Sequence, residues 1–523
     1  MKRVGLFSVF YVIVLLSNAQ TKDTIVEKYS NYITKENLSK NLHVIASDEY
    51  EGRETGKKGQ KMAAGYIAEQ FKELGIPPLK DSSYYQQIPL SLYLAEGVNI
   101  RLNGKKYEFM KDYYYFPGME NQKIESKQVL FLGYGIDDKL YSDYKGKKTK
   151  NKVLIIFSGE PYNKDSISRI TGTKEPSEWT VNYRKKRDLA EEKGVRALLV
   201  VDENIEANIN KSRHFIETPI MRLDKKEIKN TAKQITPVIF ISKQMANDIL
   251  GVKGMTTEII KRDMAQKTPP VSVKVKIPER IVIDINKQVQ KINSENVLGY
   301  IEGTDLKNEL VVVTAHYDHL GVDGDKIYNG ADDDGSGTVA VIELAGAFMK
   351  AKKEGHCPRR SMLFMTVAGE EKGLLGSSYY VENPVFPLAN TVADLNIDMI
   401  GRLDEKHKEN ADYIYIIGSD KLSTQLHKIS EGANKTYTNM ELDYTYNNPS
   451  DPNRFYYRSD HYNFAKNNIP VIFYFNGTHA DYHKETDEVE KINFGKMEKI
   501  TRLVFFTAWE LANRNERIAV DVK

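Results

Sequence analysis

Cysteine is almost absent: Cys357 is the single one in 523 residues. A lone thiol excludes an intramolecular disulfide framework, and without a second cysteine there is no thiolate metal site. Its setting, the turn Gly355-His356-Cys357-Pro358, reads as incidental. Surplus charge is missing as well. The formal net charge is +3, with Lys and Arg spread along the chain, which argues against a nucleic-acid partner or a polybasic membrane contact. The densest basic patch, Arg184 to Arg187, is followed at once by Asp188, Glu191 and Glu192 and reads as a solvated helix face. Past the N-terminus no apolar run reaches transmembrane length, and there is no internal repeat or low-complexity segment. What is present, 41% hydrophobic and 28% charged residues over this length, describes a globular chain too long for one core, hence two domains.

The N-terminus stands apart. Lys2 and Arg3 precede an apolar run from Val4 to Leu16, and Ser17-Asn18-Ala19 follows. A charged start, an apolar stretch too short to span a bilayer and small residues before a cut form a signal peptide, residues 1–19. The expectation is an exported protein with no membrane anchor after signal removal, since no cysteine near the cut offers a lipid site. Periplasmic and extracellular destinations both remain open.

Helices are expected over residues 38–47 and 57–75. In the second, Ala63, Ile67, Phe71 and Leu74 share one face, and Gly75 and Pro77 end it. The loop between, Ser47 to Gly56, carries charges that either line a cleft or are solvated. From residue 107 to 269 the texture becomes short β-runs with turn signals and one clear helix, Arg187 to Gly194. No ligand cluster or nucleophile–base pair falls there, which marks an inserted, β-rich, non-catalytic module. Residues 20–106 and 270–523 then form the catalytic domain. Its apolar runs, Leu310–Val313, Met362–Val367, Val392–Ile397 and Ile469–Phe475, alternate with helical stretches at 337–353 and 497–511. This predicts an α/β domain with a mixed, mostly parallel sheet and helices on both faces.

Sites in open α/β sheets form beyond the carboxyl ends of the strands. After the first run come His316 and Asp318, then Asp332, Asp333 and Asp334 at the mouth of a helix; after the second, Glu370 and Glu371; inside the tail of the third, Asp398; after the fourth, His479, Asp481, Tyr482 and His483. Each has a bland reading alone: a satisfied core histidine, an acidic helix N-cap, a solvated strand end. Four strands delivering oxygen and imidazole ligands to one edge do not. Two imidazoles and three carboxylates around two divalent cations leave a single positive charge, which a bridging hydroxide cancels. One ion with the same set leaves surplus negative charge in a desolvated pocket, which is costly. A mixed N/O set without thiolate suits zinc, with cobalt or manganese as substitutes.

At these residues the sequence resembles the two-zinc aminopeptidase family that includes secreted bacterial leucyl-type aminopeptidases, glutamate carboxypeptidase II, glutaminyl cyclases and the transferrin receptor. The matching strings are AHYDHLG (315–321), GADDDGSG (330–337), AGEEKGLLGS (368–377), NIDMIGR (396–402) and DYHKETDEV (481–489), with SDEYEGRETG (47–56) and RSDHYNF (458–464) outside the ligands. The insert resembles a protease-associated domain through residues 141–161, 187–201 and 236–242. The resemblance implies that His316 and Asp398 hold one zinc, Glu371 and His483 the other, and Asp333 bridges them. It implies that Asp318 orients the His316 imidazole, that Glu370 is the general base acting on a metal-bridged hydroxide, and that Tyr482 donates a hydroxyl to the tetrahedral intermediate. His319 and His479 are set aside as bystanders. Asp460 and His461 either shape the pocket or belong to a structural network, and the aromatic segment Tyr444–Tyr457 is either a pocket wall or packing.

The function implied is an exported zinc aminopeptidase with two zinc ions per chain and peptide substrates. The alternatives are a glutaminyl cyclase or an acidic-residue carboxypeptidase of the same fold, or a receptor-like peptide-binding protein without catalysis. The residues do not specify the preferred N-terminal residue, peptide length or oligomeric state.

Overall fold

The computed structural model describes residues 22–79, 82–163, 165–224, 236–251, 254–266 and 272–522. The expected signal peptide lies outside the described residues. The chain divides into two compact units: the residues up to Ile88 together with Asn293–Lys523, and Pro89–Ile292. The insert therefore starts earlier and ends later than the texture at 107 and 269 suggested. The reason is strand pairing: Val98–Leu102 is antiparallel to Ser272–Ile285, with Ile100 opposite Ile283, and the same long strand pairs with Gln122–Leu132.

In the first unit the strands lie in the order Glu441–Asp443, Tyr413–Ile417, Val471–Phe475, Thr391–Ile397, Leu306–His316, Arg360–Val367, Val289–Ile301. The three central pairings are parallel, with Val313 beside both Phe364 and Leu395, and Asn396 beside Phe473. Every residue of Arg360–Val367 and Thr391–Ile397 is buried. A parallel strand covered on both faces has no polar side, so it reads as a continuous apolar run rather than an alternating one. Tyr413–Ile417, also wholly buried, joins antiparallel to Val471–Phe475.

Helices cover the sheet. Gly337–Lys353 is buried along most of its length and packs on the strands and against Lys35–Ile45. Thr34 caps the latter by accepting the Asn37 N–H at 3.2 Å, and Asn493 caps the terminal helix Phe494–Asn513 by accepting from Lys496 at 3.0 Å. Gly337 is required where it sits, because a Cβ there would lie 2.5 Å from both Asp334 Oδ1 and the Ile397 carbonyl. Among the described residues no helix is long and apolar enough to cross a membrane.

The second unit has its own sheet, with a parallel core of Gln122–Leu132, Val153–Phe157, Ala197–Asp202 and Val238–Ser242. It is less purely β than its sequence suggests. Besides Tyr183–Glu192 it carries the helices Ile205–Glu217, Lys243–Leu250 and Thr257–Gln266. These are short, and Ile205–Glu217 buries only Ile209 and Ile216, so they stand out little against the strong β-runs.

Candidate metal centre

The first parallel strand of the catalytic unit ends at His316, and the loop after it returns to the same edge with Asp332, Asp333 and Asp334. The three aspartates divide their work. Asp334 is fully buried and accepts backbone N–H groups from His316 at 3.1 Å, Gly337 at 2.8 Å and Met399 at 3.1 Å, which locks two strand ends and a helix start together. Asp332 accepts the Gly401 N–H at 2.6 Å and the Asn476 amide at 3.2 Å. Asp333 turns its carboxylate outward to the histidines.

One oxygen of Asp333 lies 3.2 Å from His316 Nε2 and the other 3.2 Å from His483 Nε2. Asp398 Oδ1 stands 3.6 Å from His316 Nε2, and Glu371 Oε2 stands 3.4 Å from His483 Nε2. Two donors bound about 2.1 Å from a tetrahedral cation sit roughly 3.4 Å apart, so these separations fit ions held between them. All five ligand candidates named from the sequence thus converge, in two groups that share Asp333. The unsatisfied atoms point the same way: Glu371 Oε1 and both ring nitrogens of His319 are buried without a hydrogen-bond partner. Most buried polar groups are paired, and here the unpaired atoms sit together beside Asp333 among imidazole and carboxylate donors, so the donor set fits a bound metal.

His319 is the residue that sequence reasoning set aside. It is fully buried, with Nδ1 2.9 Å from Glu371 Oε1 and 3.9 Å from Asp333 Oδ2, and it forms a possible metal-holding group with those two. The signal was its place three residues after His316 on the same strand exit. His479 lies 3.3 Å from Asp332 rather than at Asp333.

Electrostatics follow from crowding. Burial pushes the carboxyls of Asp333 and Glu371 up, but the imidazoles beside them prevail, holding Asp333 well below the usual range and Glu371 at about 2. In return His483 rises to about 10 against its burial, driven by Asp333 and Glu371. Imidazolium is the cation these carboxylates recruit when no other neutralises them; a divalent ion meets the same demand. Glu370 is different. Its side chain is 12% exposed, its Oε2 is 4.0 Å from His316 Nε2, and burial, opposed by His316 and reinforced by Glu371 and Asp398, pushes it well up.

Asp318 departs from the expected role. His316 Nδ1 contacts the Asp318 backbone carbonyl at 3.1 Å, while the Asp318 carboxylate is 3.9 Å away. That carboxylate instead accepts the Glu370 N–H at 3.2 Å and the Thr55 hydroxyl at 2.6 Å. The backbone reaches Nδ1 first because the chain turns directly after His316. Ser459 plays the corresponding part for Asp398, donating to Oδ2 at 2.7 Å.

The pocket over the cluster is walled by Met399, Phe455, Phe473, Phe475, Arg458 and Tyr482. Tyr482 stacks on His483 with ring centroids 3.9 Å apart, and its hydroxyl accepts from Arg458 at 3.3 Å. Burial, with Asp333 and Glu371 nearby, pushes its phenol far up, so it stays a donor. The aromatic segment therefore supplies part of the wall through Phe455. Asp460 accepts from the Ser377 hydroxyl, and His461 stacks on Phe473 at 4.7 Å with both ring nitrogens lacking a hydrogen-bond partner. The charged loop 47–56 is divided: Asp48 and Glu49 are exposed, as a solvated loop would have them, while Arg53 turns inward. Arg53 is fully buried and donates to the carbonyls of Tyr317 at 2.8 Å, Ile45 at 3.0 Å, Asn329 at 2.6 Å and Gly330 at 2.9 Å, pinning both chain passes into the site.

A cluster of imidazole and carboxylate groups at the carboxyl edge of a mixed α/β sheet is a donor set that could hold metal ions. Residues 296–508 match the model of peptidase family M28. Among curated relatives, aminopeptidase YwaD of Bacillus subtilis is 26% identical over 232 residues, covering 43% of this chain and 46% of that protein. A probable leucine aminopeptidase of Arthroderma otae is 30% identical over 214 residues, 40% of this chain and 55% of its own length. The chain thus spans about half the length of such relatives. Among solved structures, the aminopeptidase from Aneurinibacillus sp. strain AM-1 aligns over 95% of this chain and 98% of its own, at 17% identity and a TM-score of 0.50, a likeness of fold.

Proposed function

We propose that this protein is an exported zinc aminopeptidase that removes N-terminal residues from peptides. The observation that carries the reading is the position of Asp333, which presents one carboxylate oxygen to His316 and the other to His483 at 3.2 Å each. Two groups sharing one carboxylate suit a pair of ions: His316, Asp333 and Asp398 would hold one, and Asp333, Glu371 and His483 the other. Zinc bound there supplies Lewis acidity toward a carbonyl and acidifies water.

The chain's own residues do the rest. Glu370 faces the cluster without belonging to either group, and its raised proton affinity suits a base that takes a proton from water and returns it to the leaving amine. The backbone bond from Glu370 to Asp318 fixes its approach. Tyr482, kept protonated, donates to the oxygen that gains charge as the carbonyl is attacked. The aromatic walls at Phe455, Phe473 and Phe475 exclude water around the terminal side chain. Two relatives described as aminopeptidases support an amino-terminal rather than an internal cut. We assign the second unit, by its resemblance alone, to the protease-associated class. Chelation should abolish hydrolysis of an aminoacyl chromogenic substrate and zinc should restore it; activity that survives complete metal removal would overturn the proposal.

A further inference from the structure

A second group of metal-type donors lies at the edge of the same sheet, on residues that the proposed chemistry does not use. The short edge strand Glu441–Asp443 runs parallel to Tyr413–Ile417, with Tyr413 opposite Glu441 and Tyr415 opposite Asp443. Residues two apart on a strand share a face, so both carboxylates and both tyrosines project on one side. His407 packs against that row. Its ring stacks on Tyr413 with centroids 3.7 Å apart and meets Tyr415 edge-on at 5.4 Å.

The imidazole is held the way metal-bound histidines are held. Nδ1 faces Asp404 Oδ1 at 2.8 Å, the same oxygen accepts the His407 backbone N–H at 2.9 Å, and the Tyr415 hydroxyl donates to the other Asp404 oxygen at 2.6 Å. A carboxylate on one ring nitrogen fixes the tautomer and leaves the other as a ligand. That other atom, Nε2, is buried and has no hydrogen-bond partner; the residue is 5% exposed. It faces Asp443 Oδ2 at 3.4 Å and Glu441 Oε1 at 3.9 Å. Each carboxylate is anchored through its remaining oxygen: Asp443 Oδ1 takes the Thr445 N–H at 2.7 Å, and Glu441 Oε2 takes the Asn410 amide at 3.1 Å. A plain imidazolium–carboxylate pair would aim its N–H at Asp443. Here Nε2 carries no such bond, although the spacing to Asp443 matches the ligand separations around Asp333.

We propose that His407, Asp443 and Glu441 form a second cation site, separate from the centre around Asp333, for a divalent ion of the zinc and manganese class. One imidazole and two carboxylates, with no sulfur, select that class. Glu441 is half exposed and opens the site to solvent. Lys406 stands in for the ion: its ammonium pairs with Asp443 and donates to Thr445 Oγ1 at 3.2 Å, while its stem is 53% exposed and free to swing away. The ion would clip the segment carrying Asp404 and His407 to the sheet's edge strand.

The test measures Zn²⁺ bound by the metal-depleted full chain, by competition against a chromophoric chelator. Asp443→Asn is expected to bind one fewer equivalent than wild type with peptide hydrolysis unchanged, and Asp404→Asn to weaken that one equivalent ~10–100-fold. Lys406→Ala removes the competing ammonium and is expected to tighten the same equivalent roughly tenfold. Loss of fold cannot produce that gain. Repeating the Asp443→Asn comparison in an Asp333→Asn background separates this site from the proposed peptidase centre, because the difference of one equivalent must persist there. Equal Zn²⁺ counts for wild type and Asp443→Asn, or a Lys406→Ala chain with unchanged or weaker affinity, would overturn the site.

Discussion

Asp318 accepts the backbone N–H of Glu370 at 3.2 Å. A buried carboxylate therefore sets the approach of the residue proposed as base, which the proposal leaves outside both ligand groups. Glu370→Gln keeps shape and removes the carboxylate that could take up and release a proton. It is expected to bind metal as wild type does while kcat falls ~10²–10⁴-fold, checked by kinetics on metal-counted protein. Undiminished turnover would remove Glu370 from the mechanism.

Asp333 is the only candidate ligand shared by both groups. Asp333→Ala is expected to cost metal rather than turnover alone, with metal content after dialysis falling well below that of wild type. A fully loaded Asp333→Ala protein would show that the shared carboxylate is misassigned.

Arg53 satisfies four backbone carbonyls from inside the protein. Burial lowers its proton affinity to about 10, still far above neutral pH, so the guanidinium stays charged. Arg53→Met leaves those carbonyls buried without donors and is expected to lower stability by ~3–5 kcal/mol. Denaturant unfolding measures it; a change under 1 kcal/mol, on the order of a surface substitution, would mean the loop is not structural.

Glu343 lies in the helix Gly337–Lys353, and burial pushes its carboxyl up to about 7 against hydrogen bonds from Asn37 and Asn41 that lower it. Between the ordinary glutamate value of 4.5 and about 7 the folded chain keeps a proton that the unfolded chain has released. Stability from this residue is thus highest below that window and is lost as pH rises through it. Glu343→Gln is expected to gain on the order of 2 kcal/mol over wild type at pH 8 and little at pH 4.5. Unfolding curves at both pH values check the difference, and an equal effect at each would contradict the shift.

Much of the catalytic sheet was legible because parallel strands buried on both faces leave unbroken apolar runs, and Arg360–Val367 and Thr391–Ile397 are such runs. The five ligand candidates were legible because each follows a strand. Tyr413–Ile417 escaped notice because aromatic alternation hides a buried strand among tyrosines. Arg53 escaped for another reason: a guanidinium in a charged loop looks solvated until its partners, all backbone carbonyls far along the chain, are known. The insert's limits were misplaced because Val98–Leu102 and Ser272–Ile285 reveal their common sheet only by pairing.

The most direct test counts metal in the purified chain and, on the same samples, compares hydrolysis of aminoacyl substrates bearing free and acetylated N-termini. The account predicts two zinc ions bound at the Asp333 centre, cleavage of the free amine alone, and loss of that cleavage on chelation. A chain that cleaves both substrates equally well, or keeps its rate once stripped of metal, would contradict it.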